Sequence, residues 1–142
     1  MAVIDASIYI ALINANESNH ANSWAWFQQA QSAQELLSAP VILLAEIASA
    51  LSRGLANPAL AYQVVQQLLQ SKVINLVPVT QALTERAAAI AADYQIRGCD
   101  AIYVALAEQL ADRLITLDQQ QLERGALIVT TRKPKNEEPR PN

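Results

Sequence analysis

Short apolar runs alternate with longer segments of mixed polarity along this 142-residue chain. Most of the runs end at a polar residue, as Val3-Ile4 does before Asp5. Such runs are typical of short strands buried on both faces of a sheet. In the segments between them, apolar residues recur three and four positions apart, which indicates helices. The predicted strands are residues 3–4, 36–37, 73–77, 114–117 and 127–129.

Capping residues mark where several helices begin and end. Asn57 before Pro58, and Thr80 further along, are start signals because their side chains accept hydrogen bonds from free N–H groups of a first turn. Pro40 is predicted in the first turn of a helix that ends just before Gly54. The predicted helices are residues 6–15, 19–32, 40–53, 58–71, 81–92 and 100–112, with one further turn at 119–123.

The alternation of strands and helices predicts an α/β fold: a parallel sheet of four to five strands with helices on both faces. Near its end the chain changes character. From Arg132 onwards its only apolar residues are prolines, and this stretch holds four of the ten basic residues. We therefore expect one domain over residues 1–130 and a disordered, charged tail over residues 131–142.

Composition excludes several functional classes. Hydrophobic residues make up 52% of the chain, which suffices for one core, but the three glycines do not form a phosphate-binding loop motif. The single cysteine, Cys99, excludes an internal disulfide and a cysteine-rich zinc site. The single histidine, His20, excludes a zinc site built on histidines. A formal net charge of −3 argues against a broadly basic nucleic-acid surface.

Location is also indicated by the distribution of apolar residues. No apolar run approaches the roughly 18 residues that a membrane span requires. The first residues contain Asp5 and lack the basic leader of a signal peptide. We expect no membrane association and a cytoplasmic location, in which Cys99 stays reduced.

Four acidic residues in apolar surroundings are the candidate chemistry of this chain. Asp5 and Asp118 follow predicted strands, and ligands of α/β sheets collect at the carboxyl ends of strands. Asp100 opens a helix whose next seven residues are uncharged. Glu46 is the only charged residue in positions 36–52. Because a buried, unpaired carboxylate is costly and few basic residues are near, a metal ion is the expected partner.

Each acid taken alone also has an ordinary structural explanation. Aspartate is a favoured N-cap, so Asp5, Asp100 and Asp118 could each simply begin a helix. Glu46 shares a helix face with Arg53 and could lie at the edge of a solvated stripe. The four acids together favour the metal site over these alternatives.

Four segments carry a family resemblance through their order and spacing. They read Val-Ile-Asp-Ala-Ser at 3–7, Leu-Leu-Ala-Glu-Ile-Ala-Ser-Ala-Leu at 43–51, Gly-Cys-Asp-Ala-Ile-Tyr-Val-Ala-Leu at 98–106 and Leu-Ile-Thr-Leu-Asp at 114–118. Over residues 1 to about 130 the chain resembles the PIN-domain family, most nearly its small VapC-type toxin ribonucleases. The resemblance implies a three-layer α/β/α fold.

The resemblance also implies a site. In the family, acids at matching positions bind metal and carry catalysis; here they are Asp5, Glu46, Asp100 and Asp118. Ser7 and Thr116 match the small polar residues that support such a site. Oxygen-only ligands suit Mg²⁺ or Mn²⁺. Where the family has a charged or polar run and an aromatic residue after the last acid, residues 119–122 read Gln-Gln-Gln-Leu, which we expect to alter local packing or substrate fit.

The implied activity is metal-dependent endoribonuclease cleavage of RNA, as the toxin of a type II toxin–antitoxin pair. The implied partners are an antitoxin protein and a second copy in a homodimer. Arg53 and Arg97 are the candidate RNA contacts, although each could equally be a solvated or ion-paired arginine.

Other functions remain as alternatives. A catalytically inactive PIN domain or a receiver-like α/β module would act in binding or regulation. A receiver-like fold normally has an acidic pair after its first strand, whereas this chain has only Asp5 there. A Ser/His/Asp hydrolase would have to use His20, and no nucleophile-elbow motif is present.

Overall fold

A five-stranded parallel sheet forms the centre of the protein in the computed structural model, which describes residues 1–141; Asn142, at the end of the predicted tail, lies outside that range. The strands are β1 (Ala2–Ile4), β2 (Leu37–Pro40), β3 (Asn75–Val77), β4 (Arg113–Ile115) and β5 (Thr131–Arg132). Their order across the sheet is β3-β2-β1-β4-β5, and all neighbouring pairs are parallel. The predicted α/β fold is confirmed.

Helices cover both faces of this sheet and complete three layers. They are α1 (Ala6–Ile13), α2 (His20–Ser32), α3 (Leu43–Gly54), α4 (Pro58–Ser71), α5 (Gln81–Tyr94), α6 (Gly98–Gln109) and α7 (Gln119–Arg124). α6 packs on β1, β2 and β4 and pairs with α5, while α3 packs on α1 and α4. Because α6 is covered on nearly all sides, its residues from Ala101 to Ala107 are almost all buried. No helix within residues 1–141 has both the length and the apolar character needed to cross a membrane.

Local capping signals predicted two helix starts correctly and one wrongly. The side chains of Asn57 and Thr80 accept hydrogen bonds from the N–H groups of Leu60 and Leu83, so α4 and α5 begin as predicted. The placement of Pro40 in a first helical turn was wrong, because it is the last residue of β2. Its fixed φ suits extended chain as well as a helix start, so the residue alone did not decide between them.

The last strand lies further along the chain than predicted. Residues 127–129 were expected to form it, but Gly125–Leu127 is a 3-10 turn and Leu127 is largely exposed. β5 instead pairs Thr131 with Leu114 of β4. A hydrogen bond from the Thr131 hydroxyl to the Leu122 carbonyl, at 2.9 Å, fixes this position. The strand is therefore set by where the chain meets β4 and not by its own hydrophobicity.

The segment after β5 lies against the amino edge of the sheet, whereas the sequence predicted a disordered tail. The Arg113 side chain is 1% exposed and forms ion pairs with Glu35 and Glu137, each at 2.8 Å. The backbone N–H of Arg140 donates to Glu35 at 2.9 Å. This segment therefore binds the buried side chains of Arg113 and Glu35. The prediction of a disordered tail rested on the absence of apolar residues and did not consider buried ion pairs. The division of the chain into residues 1–130 and 131–142 itself stays a prediction.

Candidate active site

Four elements bring the four predicted acids to one cavity of about 130 Å³ at the carboxyl edge of the sheet. Asp5 follows β1 directly, and Asp118 follows β4 after two further residues. Glu46 and Asp100 lie in the first turns of α3 and α6. The expected convergence is present, although the chemical role of each acid stays a prediction.

The capping explanation is correct for two of these acids and does not exclude a second role. Asp5 Oδ1 accepts a hydrogen bond from the Ile8 N–H at 3.3 Å, and Asp118 Oδ1 accepts one from the Gln121 N–H at 2.9 Å. Each carboxylate therefore uses one oxygen as a helix cap and keeps the other for the cavity. Asp100 lies inside α6, and the residue that precedes this helix is Arg97.

Two hydroxyl groups hold the Asp5 carboxylate in place. Ser7 Oγ donates to Oδ1 and Thr116 Oγ1 donates to Oδ2, both at 2.5 Å. The same hydroxyl oxygens accept hydrogen bonds from the N–H groups of Leu117 and Asp118, both at 3.0 Å. Ser7 and Thr116 thus connect the ends of β1 and β4, as residues that support a site would.

Burial raises the pKa of three of the four acids. The pKa of Asp5 rises to about 6, because desolvation outweighs the hydrogen bonds from Ser7, Thr116 and the Ile8 N–H. Burial also raises the pKa of Asp100 against the opposing effect of Arg97. It raises the pKa of Glu46 as well, with a further rise from the nearby charge of Asp100. The cavity therefore favours the binding of positive charge.

A cationic side chain supplies part of that charge. Arg97 Nε donates to Asp100 Oδ2 at 2.8 Å, and Nη2 donates to Asp118 Oδ2 at 3.4 Å. The Arg97 side chain is mostly exposed, so it lies at the mouth of the cavity. Arg53, the other predicted RNA contact, lies in the last turn of α3 and is not among the residues that line the cavity.

Two further residues line the cavity, Gln121 and Tyr103. The position of Tyr103 close to Asp100 in the sequence predicts it in the wall of the cleft or in the core, whereas Gln121 was not predicted. Gln121 Nε2 donates to Asp5 Oδ2 at 2.8 Å and to Asp100 Oδ1 at 3.4 Å. The Tyr103 hydroxyl is buried near Glu46. Its interaction with the Glu46 carboxylate lowers the pKa of Glu46, against the larger rise that burial causes. A sequence signal existed for each: Gln121 lies three residues after Asp118, and Tyr103 follows Asp100 by one helical turn.

The donor set fits a hard divalent cation in chemical type. Four carboxylates line the cavity, and among the described residues the buried Oε1 of Glu46 has no hydrogen-bond partner. Within residues 1–141, however, no three acidic side chains are close enough together to share one ion. Arg97 lies between Asp100 and Asp118, so an ion shared by these two carboxylates would have to replace some of its contacts.

Comparisons with known proteins agree with this fold. The family model described as "PIN domain" matches residues 2–127. No curated protein matches the chain by sequence.

Several solved structures share the fold at low sequence identity. One is the Mycobacterium tuberculosis toxin VapC20, described as cleaving the sarcin–ricin loop, with a TM-score of 0.73, 18% identity, and coverage of 89% of this chain and 95% of that one. A toxin–antitoxin complex from Klebsiella pneumoniae aligns with a TM-score of 0.65 and 20% identity over 94% and 98% of the chains. VapBC2 from Rickettsia felis, bound to a DNA fragment of its promoter, aligns with a TM-score of 0.66 and 14% identity over 93% and 97%.

Proposed function

The chain belongs to the PIN domain family, and from this premise we propose that it is a Mg²⁺- or Mn²⁺-dependent endoribonuclease and the toxin of a toxin–antitoxin pair. PIN domains are generally nucleases that use divalent metal ions. The observation that carries the proposal is the convergence of four carboxylates, from four separate segments, on one cavity. A receiver-like module is not supported, because the chain matches the PIN family over nearly its whole length.

We assign metal binding to Asp5, Asp100 and Asp118, with Glu46 either as a further ligand or as the group that holds the attacking water. A bound divalent ion would activate water and stabilise the negative charge that develops on the phosphate. Ser7 and Thr116 keep the Asp5 carboxylate in a fixed orientation, which lowers the cost of arranging the site. Glu46 presents a buried oxygen without a protein partner, which suits it to accept a hydrogen bond from water.

RNA as the substrate is proposed from the family and from the position of Arg97. The toxin VapC20, described as cleaving the sarcin–ricin loop, has a fold that aligns with this chain over most of both lengths. Arg97 lies at the cavity mouth, so its guanidinium is well placed to bind a phosphate next to the scissile bond. Arg53, at the opposite end of α3 from Glu46, is the second candidate for a phosphate contact.

The remaining partner and location assignments are proposals of the same kind. Solved structures with this fold include toxin–antitoxin complexes, and on that basis we propose an antitoxin partner. A homodimer and a cytoplasmic location stay predictions.

The test is cleavage of defined RNAs by purified protein with Mg²⁺ or Mn²⁺, with and without a chelator. Cleavage should require the metal and should be lost in Asp100→Asn. Asp93→Asn, which changes an exposed acid at the end of α5, is the matched control and should cleave normally. Cleavage that persists in chelator would contradict the metal mechanism. RNA binding without cleavage in either metal would favour the catalytically inactive PIN domain.

A further inference from the structure

Gln121 is the one residue that contacts all three aspartates of the cavity through hydrogen bonds among the described residues. Its backbone N–H donates to Asp118, and its side-chain Nε2 donates to Asp5 and Asp100. The side chain is buried, with the residue 1% exposed. We propose that Gln121 is a positioning residue of the metal site: it holds the carboxylates of Asp5 and Asp100 towards one cavity, in which they can bind a divalent cation. This inference rests on the proposed function.

The orientation of the Gln121 amide follows from its neighbours. If the amide were turned over, its carbonyl oxygen would face two carboxylate oxygens and repel both. With the N–H₂ group towards Asp5 and Asp100, one nitrogen donates to both carboxylates. The amide therefore links two acids that repel each other and does so without adding a net charge that would compete with a metal ion.

The local sequence favours a different contact for this side chain, which the structure does not form. Asp118 and Gln121 have the spacing of a capping box, in which the glutamine returns to the backbone N–H of the capping residue. That N–H instead donates to the Thr116 hydroxyl at 3.0 Å. Because the Asp118 N–H is already bound to Thr116, the Gln121 side chain can extend across the cavity to the acids that follow β1 and begin α6.

The other end of the amide points to a hydrated ligand. Gln121 lines the cavity, and its Oε1 is buried without a hydrogen-bond partner among the described residues. A buried acceptor without a partner is unfavourable, and none of the donor side chains that line the cavity, Ser7, Arg97 and Tyr103, forms a hydrogen bond to Oε1. A water molecule of a hydrated Mg²⁺ or Mn²⁺ ion is a donor that would satisfy Oε1, since Mg²⁺ in proteins usually retains several waters.

Binding of Mn²⁺ to metal-free protein, measured by titration calorimetry, tests the inference directly. Gln121→Met keeps the length of the side chain and removes both ends of the amide. It should weaken Mn²⁺ binding about 10–100-fold, the usual loss when a group that orients metal ligands is removed. Gln119→Met, on the exposed side of the same helix, is the matched control and should bind Mn²⁺ like the unmodified protein.

The outcomes separate this inference from the proposed function. If the unmodified protein binds no Mn²⁺, both fail. If it binds Mn²⁺ and the folded Gln121→Met variant binds equally well, only the positioning role fails. Should that variant not fold, Gln121→Leu replaces it with the same expected loss of affinity. A failure of both variants to fold would also overturn the inference, because Gln121 would then be a structural residue of the core.

Discussion

Arg97 binds Asp100 through a 2.8 Å hydrogen bond from Nε to Oδ2, which places a guanidinium between two of the four acids of the cavity. The Arg97 side chain is 72% exposed, whereas that of Asp100 is 11% exposed. The arginine therefore approaches the carboxylates from solvent. It occupies the side of the cavity from which a metal ion and an RNA phosphate would also enter.

Removing Arg97 is expected to strengthen metal binding while weakening RNA binding. Arg97→Ala frees Asp100 and Asp118 for an ion, and the gain should be about two- to fivefold in Mn²⁺ affinity, because exposed ion pairs contribute little. The same variant should bind RNA less tightly and with a smaller dependence on salt. Calorimetry with Mn²⁺ and an RNA-binding titration at several salt concentrations measure the two effects.

Arg53→Ala is the control for the loss of one positive charge. Arg53 does not line the cavity, so its removal should leave the Mn²⁺ affinity almost unchanged. Equal gains in both variants would show a general effect of net charge, and the contact of Arg97 with Asp100 would then have no specific influence on the ion.

Asp118→Asn separates helix capping from metal binding. Asparagine is as good an N-cap as aspartate, so α7 should remain capped and stability should change little. RNA cleavage should nevertheless fall at least about 100-fold, since a neutral amide is a weaker metal ligand than a carboxylate. Cleavage assays and urea unfolding of the same preparations measure both. If this variant kept full activity, Asp118 would be a cap and nothing more.

The stability of the metal-free protein should depend on pH through Asp5. Its pKa is about 6 in the folded protein, above its ordinary value of 3.8, so the folded state binds the proton more tightly than the unfolded state does. The contribution of Asp5 to stability is therefore lost as the pH rises from 3.8, its ordinary pKa, through about 6, its pKa in the folded protein. The total loss is on the order of 3 kcal/mol by pH 7.

Urea unfolding in chelator between pH 4 and 7 measures this contribution. The free energy of unfolding of Asp5→Asn, relative to that of the unmodified protein, should increase with pH across the window. Glu123→Gln, which changes an exposed acid on α7, should show no such trend. A constant difference for Asp5→Asn across the range would contradict the raised pKa.

Glu137 is expected to stabilise the fold from the end of the chain. Its carboxylate pairs with the buried Arg113, so Glu137→Ala leaves part of a buried charge without a partner. The cost should be about 1–3 kcal/mol, since Glu35 remains bound to the same guanidinium. Thermal unfolding measures it, with the exposed Glu138→Ala as the control. Equal melting temperatures for both variants would show that the ion pair between Glu137 and Arg113 adds nothing to stability.

Much of the site could be predicted from the sequence because the information is local. Asp5 ends an apolar strand, and Asp118 follows another, so their meeting at one edge of a parallel sheet follows from the alternation of strands and helices. The caps at Asn57 and Thr80 depend on residues only three positions away, and they too were predicted correctly.

Contacts between distant segments were decided only by the tertiary structure. Gln121 lies 116 positions from Asp5. Its spacing from Asp118 distinguishes it from Gln119 and Gln120, but that spacing predicts a contact with the backbone of Asp118 and not with Asp5. Arg113 likewise reads as an ordinary charged residue until β4 places it beside Glu35 and Glu137. The physical reason is that hydrophobic pattern and capping act within a few residues, whereas the pairing of a buried polar group depends on which chain segments the packed sheet brings next to it.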